Sequence, residues 1–172
     1  MAIRSALLSI AAVLALTGQA PEITPGLEAQ AFQAIVHQGL TAAPQDFASI
    51  RGTTNSGNRY VPIYDATGAA DATYVKPCSI VDETDSSSFQ YPSWSFECTI
   101  AMPGDSSDAR LAQIVAEVVS AVPEGFARTD RNFSGGRLVY WAGPDNTYVV
   151  IQKGPGLGFS LSVRHGPGSV DY

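Results

Sequence analysis

The chain has little positive charge. Ten Lys or Arg stand against sixteen Asp or Glu in 172 residues, a net charge of −6, and lysine occurs only at 76 and 153. An acidic chain without a Lys/Arg cluster repels phosphate backbones, which excludes nucleic acid as an expected partner. Anionic membrane surfaces are excluded on the same ground. Histidine is as scarce: His37 and His165 lie far apart and far from both cysteines, so neither completes a metal site with them. No apolar run reaches the roughly twenty residues of a membrane-spanning helix. There is no G-x-S-x-G elbow for a nucleophilic serine. Asp82, Glu83 and Asp85 lack the ligand spacing and central glycine of a calcium loop. The GPGLG stretch, Gly154–Gly158, lies between two strand patterns and not before a helix, so it has no helix N-terminus to cradle a phosphate. No catalytic residue, metal or cofactor is expected.

Residues 1–20, MAIRSALLSIAAVLALTGQA, carry one charge, Arg4, then an apolar run from Ala6 to Leu16 and small residues at Gly18 and Ala20. That is the pattern of a secretory signal peptide. Pro21 would disfavour cleavage after Ala20. No cysteine follows the run to take a lipid. Residues 21–172 are read as one domain, with nine basic residues against sixteen acidic ones, −7. A chain of that size can bury about two-thirds of its unfolded surface. In an oxidising compartment Cys78 and Cys98 are expected to form a disulfide. The expected location is secreted or periplasmic. Asn132-Phe133-Ser134 fits the N-glycosylation acceptor pattern, relevant only in a host with that machinery.

Internal similarity supplies the architecture. DATYV (71–75) returns as DNTYV (145–149), 74 positions later. Phe32–Ala48 aligns with Leu111–Ala127 at an offset of 79, Ser56–Val61 with Ser134–Val139 at 78, and Phe96–Ile100 with Phe159–Val163 at 63. Four blocks in one order predict a duplicated unit, about 25–102 and 105–165, followed by a short tail. Each unit reads as one helix and four strands.

The first helix is predicted over Pro25–Leu40, with Thr24 as N-cap and Pro25 in the first turn. The second is predicted over Ser107–Val122, capped by Asp105 or Ser106 and ended by Pro123-Glu124-Gly125. Its stripe of Leu111, Ile114, Val115, Val118, Val119 and Val122 is assigned to the core. Strands are predicted at 47–53, 59–64, 74–82, 93–102, 126–132, 137–142, 147–153 and 158–165. Short turns between them favour antiparallel hairpins. The fold class is therefore α+β, two tandem αββββ repeats whose antiparallel sheet or sheets pack against two helices.

Trp94, Phe96, Cys98, Ile100 and Met102 alternate with more polar or smaller residues, so one strand face is buried. Pairing Cys78 with Cys98 in an antiparallel ladder sets Ile80 opposite Phe96. The bond is expected to clamp the base of the longer connection DETDSSSFQYP, Asp82–Pro92. Braced loops often carry binding function. Phe89 and Tyr91 on this connection, and Trp141 elsewhere in the chain as another aromatic that could face solvent, are the candidate partner-contact residues.

The leading functional reading is a small exported, non-enzymatic binding domain for a protein, peptide or glycan. The alternatives are an exported hydrolase-type enzyme with its site in a cleft between the halves, or a structural envelope component. An exported tandem α+β chain is similar in architecture to secreted inhibitor proteins that bind enzymes through a sheet face. That likeness is one of fold and carries no residues.

Overall fold

Among the described residues, eight strands form one antiparallel sheet and two helices pack on one of its faces, an α+β architecture. The structure, a computed structural model, describes residues 25–58, 60–67, 75, 78–85, 93–100, 107–134, 136–154 and 158–167. The segment 1–24, Phe89 and Tyr91, Met102, Asp105 and Ser106, and the tail after 167 lie outside the described residues.

Helix α1 (Pro25–Ala42) precedes β1 (Arg51–Asn58), β2 (Val61–Ala66), β3 (Ser79–Asp82) and β4 (Trp94–Ile100). Helix α2 (Asp108–Val119) precedes β5 (Ala127–Phe133), β6 (Gly136–Ala142), β7 (Thr147–Lys153) and β8 (Phe159–His165). The strand order is β1-β2-β3-β4-β8-β7-β6-β5. The two four-stranded runs meet at β4–β8, and β1 and β5 are the edges.

Alternation decides which face is buried. Phe96, Cys98 and Ile100 of β4, Phe159, Leu161 and Val163 of β8, and Val149 and Ile151 of β7 join Phe32, Ile35 and Val36 of α1 and Leu111, Ile114 and Val118 of α2 in one core. α1 lies close against the middle of the sheet because Gly39 has no side chain. A Cβ there would stand 2.5 Å from Val163 Cγ2 and 3.0 Å from Phe96 Cδ1. The opposite face has a small apolar cluster, Leu138, Tyr140 and Val150.

The β3–β4 register is the expected one, with Ile80 opposite Phe96 and Ser79 opposite Glu97. The Cys78–Cys98 disulfide is formed, with both cysteines buried. Its position differs from the expectation. It closes the end of the β3–β4 ladder away from the 82–92 connection, with four residue pairs between. The base of that connection is held instead by Glu83 N–H donating to Ser93 O (2.9 Å) and Ser93 Oγ donating to Glu83 Oε2 (2.8 Å).

Four other expectations need correction. The first strand begins at Arg51, not 47. After α1 the chain makes a 3-10 turn, Ala43–Gln45, and passes through positive φ at Asp46 (49°) and Phe47 (59°). This turn carries the Phe47 ring inward, 6.4 Å from that of Phe96. Ser56–Asn58, in the gap between the first two predicted strands, belongs to β1. The N-cap of α2 is Ser107, whose Oγ accepts from Arg110 N–H (3.2 Å), as a cap does from the third helical residue. The α2 stripe is only partly core, because Val119 is 46% exposed.

Candidate functional site

The exposed Val119 belongs to a groove. α1 occupies the centre of the sheet, and α2 lies to one side of it. On β7 and β8 the face beneath the helices is apolar. On β5 the same face carries Arg128, Asp130 and Asn132, paired with Trp141, Val139 and Arg137 of β6. The core therefore stops at β6. Between α2 and the β5–β6 flank lies a groove of about 260 Å³, lined by Leu111, Ala112, Val115, Ala116 and Val119 of the helix and by Arg128, Arg137 and Val139 of the strands. The helical positions follow 3.6-residue spacing: Leu111 and Val115 belong to the core, and the exposed Ala112, Ala116 and Val119 extend their stripe outward.

The groove's rim is charged. Arg128 donates from Nε to Asp130 Oδ1 at 2.9 Å and from Nη2 to Asp130 Oδ2 at 3.1 Å. Arg137 Nη2 approaches the same Oδ2 at 3.4 Å. The Arg128 hydrogen bonds hold the Asp130 carboxyl below the usual carboxylate range, and the Arg128 and Arg137 charges add to this. Arg128 is raised above its ordinary value, chiefly by the same hydrogen bonds. Two guanidinium groups share one carboxylate, so the rim keeps one positive charge in excess within an acidic protein. At the far end of α2, Lys153 Nζ donates to Asp108 Oδ1 at 2.9 Å, which lowers the Asp108 pKa. This contact ties the start of the helix to the end of β7.

Of the three aromatic candidates, only Trp141 lies within the described residues. It is 3% exposed and packs in the core. The Arg128 guanidinium sits 5.8 Å from its ring centroid, so Trp141 reaches the groove only through Arg128. The described part of the acidic connection is a local turn, with Thr84 N–H and Oγ both donating to Asp82 Oδ1. Among the described residues no three His, Cys, Asp or Glu side chains gather as metal ligands would.

His165 Nδ1 lies 3.1 Å from Asp46 Oδ1. The contact joins the end of β8 to the turn after α1, and neither residue lines the groove. On the helix-free face, Arg164 is 6% exposed and donates from Nε to Ser162 Oγ at 3.2 Å. Its Nη2 stands 3.7 Å from Glu97 Oε1. Ser95 and Ser162 beside it are also buried. The groove is an open concave feature with mixed apolar and charged lining.

The sequence does not reveal the groove, because a continuous apolar stripe on α2 points wholly to the core. One signal is present. Arg128, Arg131 and Arg137 place three of the chain's ten basic residues within ten positions. The alternation in ARTDRNF also puts charge on both faces of that segment, which a strand covered on one side does not tolerate.

No protein-family model, curated protein or solved structure matches this chain.

Proposed function

We propose that the protein is an exported, non-enzymatic interaction domain that takes a partner in the groove between α2 and the β5–β6 flank. One observation carries this reading: an apolar helix face that should be core is left open at Val119, and two arginines rim it on the strand side. Ligand sites are concave, mainly apolar and furnished with a few placed polar groups. The groove has that chemistry.

Export is supported by the N-terminal pattern and by the buried disulfide, since such bonds persist in oxidising compartments. No described helix is long and apolar enough to cross a membrane. The connection around Phe89 and Tyr91 is retained as a second contact, held on a base that the β3–β4 ladder and the Glu83–Ser93 bonds fix.

Duplication of an αββββ unit is part of the same reading. The strand order mirrors itself about the β4–β8 seam. The bridge Val75↔Ile100 has its counterpart in the pair Val149↔Val163, at the sequence offsets of 74 and 63. Cys98 pairs with Leu161, the residue at its own offset. The Ser56–Val61 block fits less well. Val61 pairs with Asn58 at a hairpin tip, whereas its sequence partner Val139 pairs mid-strand with Asp130 and Ile151.

The test is capture from the host's envelope and culture fluid with the purified domain, in three forms. A partner held by the unaltered protein is expected to be lost with Val119→Glu and weakened when Phe89–Tyr91 is deleted. If every captured partner survives Val119→Glu in a variant that folds normally, the groove is not the site.

A further inference from the structure

We infer that β5 is a docking edge, and that the groove takes an extended, acidic peptide segment as a ninth strand. The inference rests on the interaction-domain reading and names the class of partner.

The two edges of the sheet differ in a way that bears on pairing. β1 has two register irregularities, between Arg51 and Thr54 and between Thr54 and Ser56, and Gly57 at φ +91°. Bulges twist an edge away from a flat template and protect it from strand addition. β5 has none. All seven of its residues pair in unbroken register with β6, and its side chains are mostly exposed. In such a ladder every second residue turns its N–H and C=O outward, a ready template for another strand.

The groove supplies what an added strand needs beyond backbone bonds, a pocket for alternate side chains. A segment laid along β5 sends every second side chain to the α2 side. One apolar side chain there meets Val115 and Val119, and acidic ones flanking it meet Arg128 and Arg137. Charge selects the segment. Arg128, Arg131 and Arg137 surround the edge with Asp130 as the single carboxylate on these two strands, in a chain of net charge −6. An acidic segment fits that rim, and a basic one is repelled.

The probe is acetyl-Thr-Glu-Thr-Val-Thr-Glu-Thr-amide, carrying a fluorophore and read by anisotropy against the whole secreted domain. On one face it presents Glu, Val and Glu. Saturable binding is expected, at least tenfold weaker for the Lys-for-Glu peptide and for Arg128→Glu/Arg137→Glu, with the variant's fold confirmed by circular dichroism. N-methylation of one alternate set of amides is expected to weaken binding at least tenfold and methylation of the other set less than twofold, since an added strand bonds through alternate residues only. Equal effects of the two sets overturn strand addition but leave groove binding standing. No binding of the acidic probe, while Val119→Glu still releases a captured partner, overturns the acidic-strand inference alone. Failure of both overturns both. A concentration-dependent dimer in sedimentation that the probe cannot dissociate also overturns it, because the edge then pairs with a second copy.

Discussion

Replacing Gly39 by alanine tests the packing on which the groove depends. Two opposing effects set the outcome. Inside a helix, alanine is favoured over glycine by about 1 kcal/mol. Against this, the new Cβ would lie 2.5 Å from Val163 Cγ2, 2.7 Å from Val163 Cβ and 3.0 Å from Phe96 Cδ1, where carbon atoms prefer about 3.5–4.0 Å. Neither neighbour can give way easily. Val163 and Phe96 are wholly buried, and a β-branched side chain is stiff about χ1. Overpacking of this kind costs about 1–3 kcal/mol, and the upper part of that range applies because several contacts are short at once. The net expectation is a loss of about 1–2 kcal/mol, or about 2–8 °C in Tm for a domain of this size.

A second substitution makes the test specific. Val163→Ala removes two buried methyl groups and by itself should cost about 1–3 kcal/mol. In the double variant Gly39→Ala/Val163→Ala the 2.5 Å contact with Cγ2 is removed while those with Val163 Cβ (2.7 Å) and Phe96 Cδ1 (3.0 Å) stay, so the losses should fall short of additive by about 1 kcal/mol. Urea denaturation of the four proteins in the cycle measures this. If Gly39→Ala raises stability, the helix gain is present without the clash, and α1 does not rest on Val163. A coupling energy within about 0.5 kcal/mol of zero refutes the same placement.

Three further outcomes follow from named contacts. Loss of the disulfide in Cys78→Ala/Cys98→Ala, closing a sequence separation of 20, should lower stability by about 3 kcal/mol in the chain-entropy model; a loss under about 1 kcal/mol in urea denaturation would show that the ladder alone holds β3 to β4. Ser107→Ala should cost about 1 kcal/mol and Ser107→Thr much less, because only the hydroxyl satisfies Arg110 N–H; equal losses would remove Ser107 as the cap. Asp130 has a folded pKa below its unfolded one, so its pairing stabilises the fold above the unfolded value of about 3.9 and is lost as pH falls through the lower folded value. Asp130→Asn should therefore make the acid limb of stability against pH shallower below about pH 4, and an unchanged slope would show that the pair contributes nothing.

Period is the most legible property of the sequence. Helix α2 and β4 follow it closely, the four strands after α2 begin and end within one residue of the expected bounds, and the β3–β4 register has two independent cues, the cysteines and the apolar alternation. Tertiary demands override period elsewhere. The pattern places Phe47 at the start of a strand, but a 3-10 turn and two left-handed residues carry its ring to Phe96. Ser56-Gly57-Asn58 has turn composition, because serine, glycine and asparagine favour turns, yet it forms an irregular edge strand. The groove is the least legible feature. A helical stripe shows which residues are apolar, but not how wide a sheet the helix must cover.

That width accounts for the groove. Eight strands spaced about 4.8 Å apart span about 34 Å, and two helices of about 10 Å diameter side by side cover about 20 Å. These two helices alone leave some flank of that face uncovered. Gly39 brings α1 onto the central strands, and the α1–α2 contact, including Gln33 Nε2 donating to Ser120 Oγ at 2.9 Å, keeps α2 beside it. On the β1–β2 side the bare strip is filled from within the chain, with Tyr64 stacked on Trp94 and the Arg51 guanidinium 5.2 Å and 4.8 Å from their ring centroids. On the β5 side no comparable plug is built among the described residues. Arg128 and Asp130 bind each other along one strand and leave the apolar side of α2 open above them. Both flanks set an arginine over an aromatic ring, but among the described residues only the β1–β2 flank adds a stacked pair of rings beneath it. The β5 flank also has the regular edge strand, so the border proposed for attachment of another chain combines an open groove, two arginines and unbroken backbone pairing.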